Sequence, residues 1–351
     1  MARKPPEAPR EAQRPSSRSR ATSYDVARRA GVSQSAVSRA FSTDGSVSDE
    51  TRRRVIEAAT ALGYRPNAIA RSLITRRSNL VGLVLASSTN AYYPEVATEI
   101  TRQCASRGSR ILLFTFESGE DISGLLEQMW SYQVDGVVAC TSLTLAQEKA
   151  FEASSVPLVL YNRAPISRYA SSVGVDHEEG EGRLVDALWQ SGARRFGVIA
   201  GPASSSVAQA RVRGILRRLT DLGAPDPHIV AGDYTYESGV EGLRELLSAA
   251  PEVEAVVCAN DAMALGALDA ARRGLGRVVP ETLSIVGFDG FGAGRWLAYD
   301  LATMRQPVER MAEAAVELLF ARIEDPTRPA ERRTFLADLV AGASARLAST
   351  D

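Results

Sequence analysis

"NAIARSLITRRSNLVGLVL", residues 67–85, changes character at its midpoint. Asn67 follows a proline and can cap a short helix through Leu73, with Ile69 and Leu73 as its apolar residues. A helix that short is unstable alone, because nucleation costs more than one or two turns return. Arg76 and Arg77 follow. Leu80-Val81-Gly82-Leu83-Val84-Leu85 is then a continuous apolar run of strand length, the pattern of a parallel strand covered on both faces. The stretch therefore joins two different kinds of structure.

On its N-terminal side the signals are helical. Thr22-Ser23-Tyr24-Asp25 makes a capping-box-like start, and Val26, Ala27 and Ala30 share one face. Gly31 supplies a turn, and Ser33 can cap a second helix with Val37, Ala40 and Phe41 inward. Ser48 opens a third helix in which Val55, Ala59 and Leu62 share a face before Gly63-Tyr64 ends it. Helix, short glycine turn, helix is the helix-turn-helix pattern, whose second helix docks in the major groove. The outward residues of that second helix are Gln34, Ser35, Ser38 and Arg39, the hydrogen-bonding types that read base edges. A three-helix bundle with a solvated polar face shares this geometry.

Charge separates the two sides. The chain has 351 residues and a formal charge of −1, yet residues 1–77 carry a net +9 and the remainder −10. A basic head on an acidic body suggests that the head meets a polyanion. Residues 1–21, rich in Pro, Ser and Arg, hold nothing that can form a core and read as a disordered basic tail.

On the C-terminal side, apolar runs alternate with helical stretches. Strands are expected at 80–86, 110–116, 136–141, 158–161, 172–175, 196–200, 228–231, 255–259 and 283–288. Helices are expected at 94–107, 178–191, 209–222, 238–249 and 262–272. This is α/β rhythm with enough strands for two parallel sheets, in which ligands sit beyond the carboxyl ends of strands. The residues just past the runs are Asn90, Tyr92, Tyr93, Asn162, Arg163, Asp176, Tyr234, Asn260, Asp261 and Asp289, with Arg211 at the start of a helix after the loop 201–207. Each alone suits a turn or a cap. Together, carboxylates, amides, one arginine and aromatic rings suit a neutral polyhydroxylated ligand.

The words YDVA, AGVS, VSR, VS-x-x-TR-x-x-V, LGY-x-PN and AR-x-L within residues 22–73 resemble the head of the lac repressor/purine repressor family of bacterial transcription regulators. "NAYYPEVATEI", "GVDHEEGEGRLVDALWQSGARRFGVIAGP", "ANDAMALGALDAARRGLGRVVPETLSIVGFDG" and "LATMRQPVERMAEAAVELL" extend the resemblance to about residue 345. It implies that Gln34, Ser35 and Arg39 read bases and that Thr22, Ser33, Tyr64 and Asn67 position phosphates. Ala36 and Ser42 depart from the family's usual Thr and Asn, which puts a backbone contact at Ser42 in question. "NAIARSL" resembles a hinge helix that orders only when two protomers sit on DNA, with Leu73 as a minor-groove wedge and Arg71 near phosphates.

For the body, the resemblance implies an all-α head followed by a periplasmic-binding-protein-like body of two parallel-sheet subdomains linked by three crossovers. Its expected divisions are a head at 22–66, hinge and linker at 67–79, and an effector-binding and dimerisation body at 80–345. The N-subdomain would take residues 80–175 and 304–332, and the C-subdomain 176–303 and 333–345. Arg211, Asn260 and Asp289 are implied as hydrogen bonders to an effector, with Asp176 nearby and Tyr92, Tyr93 and Tyr234 as walls; Asn162, past its strand, joins them as an effector-binding candidate by position. The implied partners are a pseudo-palindromic operator with a central CG step, a sugar-like effector and a second copy of the chain. A purine or nucleoside is a further option, since "AYY" offers stacking. No leucine-heptad tail follows "AGASARLASTD".

Other classes find less support. Cys104, Cys140 and Cys258 with two histidines give no metal-ligand spacing, so neither metal nor cofactor is expected and a reduced cytoplasmic setting fits. The N-terminus has no apolar core of a secretory signal, which disfavours a transport-type solute-binding protein built on the same body. No run is long enough to span a bilayer. "GFDGFGAG" at 287–294 misses the dinucleotide register because position 295 is Arg, and a turn presenting Asp289 fits it better. No nucleophile elbow or P-loop occurs, and His177 and His228 lack a nucleophile partner and read as loop residues, so no enzyme is expected.

Overall fold

The computed structural model describes residues 21–41, 46–65, 77–86, 92–116 and 123–347. They fall into two compact units, divided between Ser78 and Asn79. The expected hinge, with Asn67, Arg71 and Leu73, lies outside the described residues, as do Ser42 and Asn90.

The first unit contains α1 (Ser23–Ala30), α2 (Gln34–Ala40) and α3 (Asp49–Leu62). Thr22 and Asp25 close a full capping box, and Ser33 and Ser48 cap α2 and α3 by accepting the amides of Ala36 and Thr51. Gly31 turns the chain at φ 64°, a left-handed conformation that costs a residue with a Cβ far more. The turn is held from α3, where the Arg54 guanidinium donates to the Ala30 carbonyl and Arg52 donates to that of Ala40 at 2.7 Å. Val26, Ala27, Ala30, Val37, Ala40, Val55, Ala58 and Ala59 form the core.

The second unit has two six-stranded sheets. One runs β11-β5-β4-β3-β1-β2 and the other β12-β10-β9-β8-β6-β7. The first sheet contains β1 (Leu80–Ala86), β2 (Arg110–Phe116), β3 (Gly136–Ala139), β4 (Leu158–Tyr161), β5 (Ser171–Val175) and β11 (Arg332–Phe335). The second contains β6 (Phe196–Ala200), β7 (His228–Ala231), β8 (Ala255–Cys258), β9 (Ser284–Asp289), β10 (Ala302–Arg305) and β12 (Asp338–Val340). Helices α4 (Tyr93–Ser106), α5 (Ser123–Ser131), α6 (Leu145–Ala153) and α11 (Val308–Glu324) accompany the first sheet. Helices α7 (His177–Gln190), α8 (Ser206–Asp221), α9 (Tyr236–Ala249) and α10 (Asp261–Arg273) accompany the second. All pairings are parallel except β10 with β12. β1 is buried along its centre because strands flank it on both sides, whereas β2 at the edge leaves Leu113 exposed.

The two sheets follow the same order, strand for strand, so β5 and β10 hold equivalent places. The chain passes between sheets after β5, after β10 and after β11. The expected return points at 304 and 333 fall inside β10 and β11, whose ladders run on to Arg305 and Phe335. A ladder fixes the chain to one sheet until its last pair, so the crossings come a few residues later. Strands β10, β11 and β12 escaped the sequence reading because "ATMR", "RRTF" and "DLV" are short and carry no apolar run. α8 begins three residues earlier than expected, at Ser206, because Ser205 caps it by accepting the Ala208 amide.

Candidate functional site

In the head, α2 turns Val37 and Ala40 inward and leaves Gln34, Ser35, Ser38 and Arg39 exposed. Ser33 and Ser35 are joined through their hydroxyls at 2.9 Å, and Gln34 donates to Ser23 at 3.4 Å. These contacts set the start of α2 against α1 and leave Arg39 standing clear one turn further on. Thr22 and Ser33 spend their hydroxyl oxygens on helix caps while remaining at the surface. Tyr64 packs its ring against Phe41, with centroids 6.0 Å apart. The face is polar and unobstructed within this unit, as a base-reading face requires.

In the second unit the strand-end residues converge on a buried polar chain. Arg211, on the second turn of α8, lies with its guanidinium 3.9 Å over the Phe288 ring. Its Nη2 donates to Asp289 Oδ1 at 2.9 Å, its Nη1 to the Ala259 carbonyl, and its Nε to His177 Nδ1 at 3.3 Å. Asp289 Oδ1 also accepts Gln306 Nε2 at 2.8 Å. Gln306 Oε1 in turn accepts Asn162 Nδ2 at 2.6 Å and the Tyr92 hydroxyl at 3.2 Å, and Tyr92 meets the Tyr161 hydroxyl at 3.4 Å. Tyr92, Asn162 and Tyr161 belong to the first sheet's side, and Asp289, Arg211 and His177 to the second's. Gln306, at the crossing after β10, joins the two.

Burial governs the ionisation of this chain. Desolvation works to lower the pKa of the buried Arg211, but Asp289, Tyr234 and Glu181 together hold the guanidinium above its ordinary value. Desolvation, with the Arg211 charge alongside, pushes His177 well below the usual histidine range, so its Nδ1 is free to accept from Arg211. Burial first, then the neighbouring Tyr161 hydroxyl, raises Tyr92 well above an ordinary phenol, so it is a neutral donor to Gln306.

Backbone strain gathers in the same place. Asn162, Tyr234 and Asp289 have φ of 54°, 72° and 131°, in the region that residues with a side chain rarely adopt. Such positions cost on the order of 1–3 kcal/mol each and persist where the surroundings fix them, often beside ligands. The Asn162 backbone is held by Val173, and its Oδ1 accepts the Val175 amide at 3.2 Å. Tyr234 is held by Asn260, whose Nδ2 donates to its carbonyl at 3.0 Å, and its hydroxyl meets Ser205 at 3.1 Å.

A family described as "Bacterial regulatory proteins, lacI family" matches residues 22–67, and a "Periplasmic binding protein-like domain" matches residues 185–345. Catabolite control protein A of Priestia megaterium is 34% identical over 304 residues, 85% of this chain and 91% of the relative. The chain belongs to the lacI family of bacterial regulatory proteins. Among solved structures, a lac repressor dimer bound to operator and an anti-inducer matches with TM-score 0.84 at 26% identity, over 94% of this chain and all of that one. A transcriptional regulator CelR–cellobiose complex matches with TM-score 0.71 at 30% identity, over 93% of this chain and 100% of its own. As a lacI-family protein, the chain is a DNA-binding transcriptional regulator with an effector-binding body, and the relatives it matches are regulators, not enzymes.

Not every expected residue of this lacI-family chain has the same place. Arg211, Asp289, Asn162 and Tyr92 meet through Gln306. Tyr93 is half-buried with its ring 5.6 Å from that of Tyr92, and burial raises its phenol pKa against the opposing pull of the Arg163 charge. Asn260 lies behind Tyr234, with its Oδ1 capping α10 at the Met263 amide. Asp176 is exposed and caps α7 through the Glu179 amide at 3.0 Å. It borders a cavity of about 370 Å³ with His177, Glu178, Ala210 and Arg217.

Two readings are corrected: His177 is the buried first residue of α7, tied to Arg211, and His228 lies exposed within β7, so neither is a loop residue. Gln306 is not among the expected residues because β10, whose end it marks, carries no apolar run. Its signal was symmetry, since Gln306 follows β10 as Asp176 follows β5. Asp261 also proves structural: Gly290, Phe291 and Thr303 all donate to its buried carboxyl, whose pKa desolvation lifts to about 7. Among the described residues no helix is long and apolar enough to cross a membrane.

Proposed function

We propose that this protein is a repressor that binds a pseudo-palindromic operator as a homodimer and is controlled by a sugar-like effector. The observation that carries the effector half is the buried chain Arg211–Asp289–Gln306–Asn162–Tyr92, which spans both sheets. A ligand whose hydroxyls compete for Asp289, Gln306 and Asn162 changes the contacts between the two halves as it binds. Arg211 with Asp289 offers a donor and an acceptor in register, the pair a vicinal diol uses, and Tyr92, Tyr93 and Tyr234 supply apolar walls. Asp176 contributes at the rim and Asn260 by holding Tyr234. The cellobiose complex of a structural relative supports the sugar class.

In the DNA-binding half, Gln34, Ser35, Ser38 and Arg39 read bases, while Thr22, Ser33 and Tyr64 meet phosphates. Asn67, Arg71 and Leu73 complete the contact through the hinge. The working division is a head of 22–66, a joint of 67–79 and a body of 80–345. The dimer is supported by the lac repressor relative and by Trp296 and Leu297, which stand 63% and 100% exposed just after the 3₁₀ turn Gly292–Arg295. The test is a thermal-shift panel of sugars and nucleosides, repeated on Arg211→Ala and Asp289→Ala. A sugar that stabilises the parent and neither variant supports the reading. Shifts unchanged in both variants would remove the ligand from this cleft.

A further inference from the structure

Glu181 is the one acidic side chain among the described residues whose two buried carboxyl oxygens have no hydrogen-bond partner. It lies on α7 one turn beyond His177, so both side chains share a face of that helix. The packing places that face against Arg211. Gly214 of α8 comes so close to α7 that an added Cβ would sit 2.5 Å from the Glu178 carbonyl oxygen, and Arg211 is one turn before Gly214. Gly180 of α7 meets the Phe288 ring, over which the guanidinium lies. Arg211 and Asp289 both act electrostatically on Glu181, with opposite signs.

A buried carboxyl without partners is costly, and as a bare anion more so. No hydrogen bond compensates it in this arrangement, and the charge of Arg211 alone does not offset its burial. The guanidinium beside it is already matched by Asp289.

We propose that Glu181 is a reserve partner for Arg211: a neutral acid while Asp289 holds the guanidinium, and its counter-ion once a ligand takes up Asp289. On that exchange the Glu181 O–H breaks, its proton leaves to solvent, and the carboxylate takes over the balancing of Arg211. Ligand binding in the cleft is then linked to release of a proton: Arg211 keeps a counter-ion, Asp289 stays an anion held by the ligand's hydroxyls, and the cleft gains one negative charge. Burial raises the Glu181 pKa to about 8, which fits the neutral form in the arrangement seen here. The groups that face it are Arg211 of α8, Asp289 of β9, the Cys258 thiol of β8 and His177 of its own helix. The charged side chains of β10 and β12, Arg305 and Asp338, are exposed.

The proposal rests on the cleft as the effector site, yet its test needs no effector. Glu181→Gln, Asp289→Asn and the double variant of the full chain are unfolded in urea at pH 7.5 and followed by tryptophan fluorescence. Glu181→Gln alone leaves the midpoint unchanged or raises it, and Asp289→Asn lowers it. The double variant unfolds at least tenfold more readily, as an equilibrium constant, than the two single changes together predict. Additive effects, or a loss in Glu181→Gln as large as that in Asp289→Asn, would overturn the proposal.

Should Asp289→Asn fail to fold, the pH dependence decides. A carboxyl raised in the folded state favours folding at low pH and loses that contribution as pH climbs through its folded value. The parent's unfolding constant therefore rises by up to tenfold per pH unit relative to Glu181→Gln from about pH 5, and levels above about pH 8. Parallel curves would sink the idea. Coupling found in a cleft that takes no ligand would instead fault the effector reading alone.

Discussion

Replacing Gln306 by methionine probes the joint between the two halves of the body. The side chain keeps its length and nearly its volume, so no cavity opens and the change is confined to hydrogen bonding. Gln306 accepts from Asn162 at 2.6 Å and Tyr92 at 3.2 Å, and donates to Asp289 at 2.8 Å. Two neutral bonds at about 1 kcal/mol each and one to a carboxylate at about 2 kcal/mol give a loss of about 4 kcal/mol. Asp289 keeps Arg211, so no bare charge is created. Urea unfolding at pH 7.5, monitored by tryptophan fluorescence, measures the loss directly. A decrease below about 1 kcal/mol would refute the view that Gln306 ties the halves together, since so small a value is that of one exposed hydrogen bond.

Arg39→Ala should weaken operator binding by about 1–3 kcal/mol and relax selectivity at one base pair, read by fluorescence anisotropy on operator and single-substituted duplexes at fixed salt. His177 has a folded pKa far below its ordinary value, so its contribution to stability is present above about pH 6.5 and is lost as pH falls toward the folded value. His177→Gln keeps an acceptor for Arg211 without titrating, and its melting temperature should change less between pH 7.5 and 5.5 than the parent's. Gly214→Ala forces a Cβ against the Glu178 backbone, and overpacking of that kind should cost about 1–3 kcal/mol in the same denaturation assay.

What the sequence disclosed follows from what side chains do locally. Val81 to Leu85 announced a central strand because both faces of β1 are covered, and Thr22, Ser33 and Ser48 announced three helices because caps are made by neighbours in sequence. Strands β10 to β12 were silent, for they are short and their residues carry no periodic signal. Gln306 was lost with β10. Arg211 and Asp289 were legible as residues beyond strands, but that they form a buried pair depends on Phe288, Ala259 and His177 arriving from other elements. Asn260 and Asp176 were recognised by position, while their cap bonds to Met263 and Glu179 appear only once α10 and α7 are in place. Glu181 was the least visible. "HEEGEGR" reads as a solvated helix face, and only the approach of α8 at Gly214 turns that face inward.

The central claim is that occupancy of the Arg211–Asp289–Gln306 cleft sets the operator affinity of the head. The direct measurement is operator affinity by fluorescence anisotropy, with and without a saturating sugar found by thermal shift, for the parent and for Asp289→Ala. The account predicts a change of at least tenfold in the parent, in either direction, and a change of less than about twofold in Asp289→Ala, whose affinity without sugar still requires Arg39. An equal response to the sugar in both proteins would contradict it.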